Sequence, residues 1–107
     1  ARVKRVTVAT YQAVSGTGAA AVRELDEQSA DILAGRPANP QEYPHQIAFN
    51  VLPQVDDFTE DGYTGEEHKM INETRKILHD AEIAISPTCV RVPVPVTHSE
   101  SVQVEFE

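Results

Sequence analysis

His98 and Arg91 are the side chains whose chemistry stands out, and they lie seven positions apart near the end of the chain. Histidine exchanges protons readily near neutral pH, so His98 could act as a general acid or base. It lies between two predicted strands, where a turn can hold a side chain on a rigid base. A solvated loop histidine is the simpler interpretation, and the residue alone leaves both open.

Arg91 lies in an otherwise apolar predicted strand, which is an unusual place for a guanidinium. A buried charge is costly unless an anion accompanies it. Arg91 therefore either pairs with a carboxylate of the protein or binds an anionic ligand. Lys69 and Glu66 are three positions apart on a predicted helix, where such a pair is normally a weak surface ion pair.

Cys89 is the only cysteine, so a disulfide-stapled secreted fold is excluded. With His98 it could form a thiol-imidazole pair for nucleophilic catalysis. However, Cys89 lies among strand-forming residues, and cysteine is among the most frequently buried residue types. The sequence favours a structural thiol over a small thiol enzyme.

The segment Gly16-Thr17-Gly18-Ala19-Ala20-Ala21 follows a predicted strand and opens a predicted helix, as the dinucleotide motif G-x-G-x-x-G/A does. That motif also requires a second strand that ends near an acidic residue for the ribose. Here the helix runs into a proline-rich loop instead. A plain strand-to-helix turn is therefore favoured over a nucleotide site.

Composition excludes several classes of partner. The net charge is −8, from 9 Lys and Arg against 17 Asp and Glu, and the basic residues are scattered singly, which is unsuited to nucleic acid. The 4 histidines lack ligand spacing, so no metal site is expected. No targeting or membrane-spanning segment is visible, and a folded, cytoplasmic protein is expected.

The hydrophobic pattern predicts a single α+β domain, with a sheet covered by helices. Residues 3–14 are rich in β-branched side chains and predict a strand that ends at a turn over 15–18. The segment 36–44 holds three prolines and predicts an irregular loop, and residues 47–52 predict a short strand or extended segment. The first helix lies between turn and loop; its apolar stripe is Ala21, Val22, Leu25, Ile32 and Leu33, and its stop is Gly35 and Pro37.

The second helix has the best-defined start, because Thr64-Gly65-Glu66-Glu67 has the form of a capping box. Residues 85–96 alternate as a strand, and two prolines within it indicate an edge or bulged position. A further strand follows residues 97–99, and both ends of the chain look cut, since strands reach nearly to each terminus. The second helix has an inner stripe of Met70, Ile71, Thr74, Ile77 and Leu78, and another face of Glu66, Lys69, Glu73 and Lys76.

Five blocks of sequence resemble the C-terminal domain of aspartate-semialdehyde dehydrogenases. They occur in order and span nearly the whole chain. Any one could arise by chance, but five with family-like spacing also distinguish this family from the related N-acetyl-glutamyl-phosphate reductases. The blocks are Tyr11-Gln12-Ala13-Val14-Ser15-Gly16, residues 45–51, residues 67–78, Thr88-Cys89-Val90-Arg91-Val92-Pro93-Val94 and His98-Ser99-Glu100-Ser101-Val102.

The resemblance implies a mixed β-sheet covered by helices, a dehydrogenase C-terminal-like domain truncated at both ends. Residues 1–107 would be the catalytic and dimerisation domain, without the NADP-binding Rossmann domain. The implied reaction is NADP-dependent reductive dephosphorylation of aspartyl phosphate to aspartate semialdehyde, on the route to lysine, methionine and threonine. The implied partners are this substrate pair, phosphate and a second copy of the chain in a homodimer, with no nucleic acid and no membrane.

The resemblance also implies a role for each matching residue. His98 would be the general acid/base, and Gln12 would orient the acyl group at the thiol. Arg91 would hold the substrate carboxylate, which a fork of donors matches in a bidentate way. Lys69 would bind the phosphate, and Glu66 the substrate amino group or the basic residues around it.

The family's nucleophilic cysteine and NADP fold belong to segments upstream of Ala1. No cofactor-binding residue is therefore expected within these residues, and Cys89 is expected to be structural. The 107 residues by themselves are predicted not to turn over aspartyl phosphate. A function of another class stays open, that of a folded, non-catalytic dimerisation module whose exposed sheet is the contact surface.

Overall fold

The computed structural model describes residues 1–107 as a three-stranded sheet with two helices. The strands are β1 (Val3–Gln12), β2 (Ala84–Arg91) and β3 (Ser99–Phe106). The helices are α1 (Ala19–Leu33) and α2 (Gly65–Ile77), and a short 3-10 turn spans Val14–Gly16. The predicted α+β class and the order of elements along the chain are confirmed.

β1 is the central strand, because both other strands pair with it in the spatial order β2-β1-β3. β2 runs parallel to β1 and β3 runs antiparallel to it, so the sheet is mixed, as expected. Half of the residues in β1 are valine or threonine, which suits a pleated strand with a neighbour on each side.

The two faces of the sheet differ in chemistry. Val8, Thr10 and Gln12 of β1 are buried on one face, in register with three buried residues of β2, whereas Thr7 and Tyr11 on the other face are exposed. α2 packs over β2 on the buried face. β3 is exposed along its whole length. The predicted covering by helices is therefore present over β2 and incomplete over β3.

β2 ends earlier than the sequence predicts. Arg91 is its last residue, whereas the alternating pattern predicts a strand up to residue 96. Pro93 and Pro95 have no N–H to donate to a ladder, and the backbone turns tightly, with the Val94 N–H donating to the Val92 carbonyl at 2.8 Å. The predicted edge position of this strand is confirmed.

The segment 92–98 crosses the carboxyl end of β1. β2 and β3 lie on opposite sides of β1, so the turn predicted between these two strands at His98 is a connection across the end of β1 and not a tight turn. The Val14 N–H donates to the Val94 carbonyl at 3.0 Å, next to a similar bond between the Ser15 N–H and the Pro95 carbonyl at 3.1 Å. These bonds hold the crossing segment against the residues that follow β1. They place His98 at the carboxyl end of that strand.

The hydrophobic core lies beside the sheet, between α1 and the irregular loop. Ala21 and Leu25 of α1 pack against Val14, Ile47 and Leu52, all buried. Few apolar side chains of the sheet contribute, because the sheet is narrow and half covered. The position of the core therefore depends on contacts between α1 and residues far along the chain.

Two polar residues of α1 hold the irregular loop in place by accepting hydrogen bonds from its backbone. Glu24 Oε1 accepts from the N–H groups of Gln41 and Glu42, both at 2.8 Å. Gln28 Oε1 accepts in the same way from the first two N–H groups of segment 47–52, at 2.9 and 3.1 Å. These bonds satisfy backbone donors that have no strand partner.

Segment 47–52 forms a turn and a single bridge instead of a strand. Ile47 and Ala48 are buried, Phe49 adopts φ 56°, and only Leu52 pairs, with Arg91. The strand alternative predicted for this run is therefore wrong. The apolar run also predicts that the whole segment is buried, but Phe49 and Val51 are exposed, and Ile47, Ala48 and Leu52 are buried against α1.

α2 begins with the capping box that the sequence predicts. The Thr64 side chain accepts from the Glu67 N–H at 3.5 Å, and Glu67 Oε1 accepts from the Thr64 N–H at 2.9 Å. The second carboxylate oxygen, Oε2, accepts from the Cys89 N–H at 3.0 Å. One buried side chain therefore caps α2 and covers a donor on the outer edge of the sheet.

The inner stripes of both helices are shorter than predicted. Leu33 at the end of α1 is 78% exposed, and Ile77 and Leu78 at the end of α2 are 71% and 48% exposed. The apolar stripe at the last turn of each helix is therefore largely exposed to solvent. Neither helix is both long and apolar enough to cross a membrane.

The substitution Glu67→Gln is expected to destabilise the protein. An amide keeps one acceptor oxygen, but its NH2 group cannot accept from the second backbone N–H, so a buried donor loses its partner. We expect the free energy of unfolding, measured by urea denaturation, to fall by about 1–3 kcal/mol. The control Glu27→Gln, at an exposed position of α1, is expected to change it by less than about 0.5 kcal/mol. Equal stability of the two variants would contradict the double role of Glu67.

Candidate active site

A groove of about 300 Å³ lies at the carboxyl end of β1, between α2 and the start of β3. It brings together three of the predicted site residues, Gln12, Glu66 and His98. Its other lining residues are Thr10, Met70, Glu73, Thr74, Ile77 and Glu100. An imidazole, an amide and carboxylates around one concavity are suited to proton transfer on a polar ligand.

His98 is held by a backbone hydrogen bond. Its Nδ1 atom accepts from the Ala13 N–H at 2.8 Å. A backbone N–H is always a donor, so a neutral imidazole at this position carries its proton on Nε2. The bond therefore sets both the ring orientation and the tautomer, which a general acid or base requires.

Arg91 is 8% exposed and forms none of the ion pairs of the chain. Its Nη1 donates to the Ala13 carbonyl at 2.9 Å, and its guanidinium carbon lies 5.8 Å from the centre of the Tyr43 ring. Its Nε has no hydrogen-bond partner. A carbonyl and an aromatic face offset only part of the cost of burying a full charge. The predicted alternative of a structural carboxylate partner is therefore wrong, and the guanidinium suits an anionic ligand.

Ala13 and Gly16 hold these two side chains together. Ala13 uses its N–H for His98 and its carbonyl for Arg91. A Cβ atom at Gly16 would lie 3.4 Å from both Arg91 Nη1 and His98 Nε2. A side chain at position 16 would therefore crowd both groups, and glycine leaves the space beside them open.

Arg91 lines a second cavity, of about 190 Å³, and does not line the groove. Tyr43, Asp56 and Asp57 are in the wall of this cavity. The structure thus brings Arg91 next to His98 through Ala13 and Gly16, but it does not bring Arg91 into the groove that contains Gln12.

Lys69 borders the groove without lining it. Its side chain is exposed on α2, and its Nζ lies 3.9 Å from Glu66 Oε1. Glu66 and Glu73 line the groove, whereas Lys69 and Lys76 do not. The predicted polar face of α2 is therefore divided, because two of its four residues belong to the groove side.

The groove is acidic. Glu66, Glu73 and Glu100 line it, and neither lysine nor arginine does. Carboxylates repel a phosphate unless a cation is brought near. A phosphate-bearing ligand in this groove would therefore require Lys69 to leave Glu66 and turn inward.

His68, which precedes Lys69, is engaged on another side of α2. Its Nε2 lies 2.8 Å from Asp61 Oδ2. Hydrogen bonds from the Thr59 hydroxyl, the Tyr63 N–H and His68 lower the pKa of Asp61 to about 2. This network joins the loop before α2 to the first turn of the helix, and none of its residues lines the groove.

Cys89 is buried, as the sequence predicts. Its side chain has no exposed surface, and its Sγ lies 3.3 Å from Met70 Sδ. Burial raises the pKa of the thiol to about 11, and the carboxylates of Glu67 and Glu66 also raise it. The thiolate is the nucleophilic form of cysteine, so Cys89 is unsuited to covalent catalysis at neutral pH.

The Gly16-Thr17-Gly18 turn does not fit a dinucleotide. α1 packs against the loop beside the sheet, and the strand parallel to β1 comes only after α2. A Cβ atom at Gly18 would have no atom within 4 Å, and the φ of 127° favours glycine at this position. The turn is a plain strand-to-helix connection, and these residues do not fit NADP.

Thr10 and Glu100 line the groove but were not singled out from the sequence. Thr10 lies two positions before Gln12 on β1, so the pleat places both side chains on the same face. The two-residue period of a strand is the signal that would have identified Thr10. Glu100 is opposite Thr10 in the pairing of β1 with β3, which no local pattern specifies.

The whole chain, residues 1–107, matches the family model described as semialdehyde dehydrogenase, dimerisation domain. The chain belongs to this family. Two relatives named aspartate-semialdehyde dehydrogenase come from Legionella pneumophila, 57% identical over 105 residues, and Aquifex aeolicus, 56% identical over 108 residues. These matches cover 98% and 100% of the chain but 30% and 32% of the relatives, so the chain spans about a third of their length.

Solved structures of family members have the same fold. Aspartate-semialdehyde dehydrogenase II from Vibrio cholerae, complexed with ASA, is 51% identical and superposes with a TM-score of 0.94 over 96% of the chain and 31% of that structure. A probable aspartate-semialdehyde dehydrogenase from Pseudomonas aeruginosa is 30% identical, with a TM-score of 0.88 over 95% of the chain and 30% of that structure. The family resemblance carried by the five sequence blocks is confirmed.

Native Cys89 is expected to react slowly with iodoacetamide. A pKa of about 11, against an ordinary value of 9.0, lowers the thiolate fraction at pH 8 by about two orders of magnitude, and burial restricts access further. Peptide mass spectrometry measures labelling in native protein and in concentrated urea, where the thiol is free to react. Equal rates in the two conditions would show an accessible thiolate and would reopen the thiol-enzyme alternative.

Proposed function

We propose that this chain is the substrate-binding and dimerisation part of an aspartate-semialdehyde dehydrogenase. The reaction would convert aspartyl phosphate, NADPH and a proton to aspartate semialdehyde, NADP and phosphate, on the route to lysine, methionine and threonine. A cytoplasmic location goes with this activity. The observation that carries the proposal is the joint anchoring of His98 and Arg91 on Ala13, next to Gln12, in a chain of this family.

His98 is the proposed general acid/base. Its Nδ1 is engaged by the Ala13 N–H, so Nε2 is the atom that exchanges a proton. Acyl transfer through a thiol needs a base while the thiol attacks and an acid when the reduced product leaves. One imidazole with a fixed tautomer can serve both steps in turn.

Arg91 is the proposed ligand of the substrate carboxylate. Its guanidinium has no carboxylate partner in the protein, and Nη1 donates to the Ala13 carbonyl. A carboxylate that approaches this fork would supply the missing charge and accept two parallel hydrogen bonds. The hydrogen bond to the Ala13 carbonyl would hold the fork in position for it.

Lys69 and Glu66 are the proposed ligands of the phosphate and of the amino group. They pair with each other at 3.9 Å in the unliganded chain. A substrate that carries both a phosphate and an ammonium group offers each of them a new partner of the right sign. This exchange of partners would bring a cation into the acidic groove without leaving Glu66 unpaired.

The thiol nucleophile would come from outside these 107 residues, because Cys89 is buried and protonated at neutral pH. NADP would also be held by other residues, and it would supply the hydride that reduces the acyl group. Within this chain, Gln12 would orient the acyl group toward the incoming thiol. The chain's own contribution is therefore binding, orientation and proton transfer.

The substitution His98→Asn is expected to lower kcat by about 10² to 10⁴-fold, the usual contribution of a general acid/base. Asparagine can still accept from the Ala13 N–H, so the variant removes proton transfer and keeps the anchor. The assay uses the protein expressed from its complete reading frame and follows phosphate-dependent reduction of NADP by aspartate semialdehyde. The control is His79→Asn, at an exposed position with φ 53° that asparagine tolerates.

Two outcomes of this assay would contradict the proposal. Activity of the His98→Asn variant within a few fold of the unchanged protein would remove His98 from the mechanism. A full-length protein with no dehydrogenase activity on aspartate semialdehyde would contradict the function itself. The 107-residue chain by itself serves as the negative control and is expected to be inactive.

We further propose that the chain assembles as a homodimer, in line with the description of its family as a dimerisation domain. Val102, Val104 and Phe106 of β3 are exposed, and the outer edge of this strand is unpaired, so a second copy can supply the missing cover. Sedimentation equilibrium of the full-length protein is expected to give the mass of a dimer. A monomer at micromolar concentration would contradict this assembly, and a stable dimer without dehydrogenase activity would favour the non-catalytic module.

A further inference from the structure

Thr10 is a buried hydroxyl-bearing residue in the wall of the groove. It is 3% exposed, and it lies on the same face of β1 as Gln12. Its Oγ1 lies 2.9 Å from Gln12 Oε1, and the Val90 N–H of the neighbouring strand donates to the same Oγ1 at 3.4 Å. A threonine hydroxyl thus connects the backbone of β2 with the side-chain amide of Gln12.

The direction of these hydrogen bonds follows from the chemistry of the groups. The Val90 N–H can only donate, so Thr10 Oγ1 accepts there, and the same hydroxyl donates its single proton to Gln12 Oε1, which can only accept. The atom of Gln12 that faces Thr10 is therefore its carbonyl oxygen. The NH2 group of the amide is consequently turned toward the groove that also contains His98.

We propose that Thr10 is a positioning residue that sets the orientation of the Gln12 amide, so that the NH2 group donates to the acyl oxygen of the substrate. This inference rests on the proposed function. An amide is close to symmetric in shape, and rotation by half a turn would present its oxygen to the substrate oxygen, which repels it. The Thr10 hydroxyl favours one orientation, because its oxygen already accepts from the Val90 N–H and its proton can be accepted only by the oxygen of Gln12.

The burial of Gln12 strengthens the effect of this hydrogen bond. Gln12 is 8% exposed, so its oxygen has little access to water. Without the hydroxyl, the oxygen would have to find another donor or remain unsatisfied, and the amide would populate both orientations. Thr10 and Gln12 are therefore expected to act as a unit, so that loss of Thr10 affects catalysis mainly through Gln12.

The substitution Thr10→Val in the full-length protein tests this inference. Valine keeps the β-branched shape and removes the hydroxyl. We expect kcat to fall about tenfold with KM changed less than about twofold, because binding through Arg91 and Lys69 is untouched. Thr10→Ser, which restores the hydroxyl, is expected to recover most of the activity. Thr7→Val, at an exposed position of the same strand, is the matched control and is expected to leave kcat unchanged.

A double-mutant cycle separates positioning from a general loss of structure. In a Gln12→Ala background, Thr10→Val is expected to cause less than about a twofold further loss of kcat, because the group on which it acts is gone. A further tenfold loss in that background would overturn the inference, as would a Thr10→Val variant with unchanged kcat. If Thr10→Val does not fold, Thr10→Ser with activity as low as that of Gln12→Ala would overturn it equally.

The substitution Gln12→Glu tests the direction of the amide. A carboxylate can still accept from Thr10 but cannot donate to the substrate, so kcat is expected to fall at least as far as in Gln12→Ala. Activity of Gln12→Glu within a few fold of the unchanged protein would overturn the donor orientation. All of these outcomes require an unchanged protein with dehydrogenase activity, so failure of the inference is distinguishable from failure of the proposed function.

Discussion

The backbone of Ala13 is the feature on which the candidate site depends. Its N–H orients His98, and its carbonyl holds Arg91. Ala13 follows directly on the central strand and is fully buried, so strands and loops on both sides restrain its position. An anchor formed by main-chain atoms does not depend on the rotamer of the anchoring residue. Two side chains from different parts of the sequence therefore gain a common and rigid reference point.

The strand that carries Arg91 is fixed on both sides. Along its outer edge the Cys89 N–H bonds to Glu67, and Arg91 exchanges two backbone hydrogen bonds with Leu52, at 2.8 and 2.9 Å. The guanidinium of the same Arg91 is buried without an ion-pair partner. A rigid backbone that carries an unpaired guanidinium is an arrangement suited to binding an anion, since the position of the charge does not have to be organised when a ligand arrives.

The groove and the proposed substrate both carry negative charge. The chain has a net charge of −8, three carboxylates line the groove, and the proposed substrate is an anion. Lys69 pairs with Glu66 at the rim of the groove, so the cation that such a substrate needs lies next to the groove and not within it. The salt bridge is exposed and therefore weak, and it can exchange for substrate at little cost. Hydrogen-bond direction, as at Thr10 and Gln12, adds specificity that charge cannot supply.

Local sequence patterns by themselves identified the two helices, the three strands and the family, but not where β2 ends. The capping box at Thr64, the β-branched run of β1 and the helical spacing in α1 each act within a few residues, and five ordered blocks identified the family. Tertiary structure alone decided the strand order, the crossing of segment 92–98 over the end of β1, and the separation of Arg91 from the groove of Gln12. The physical reason is that an alternating pattern specifies which face of a strand is buried, whereas its neighbours are chosen by contacts between residues far apart in the chain.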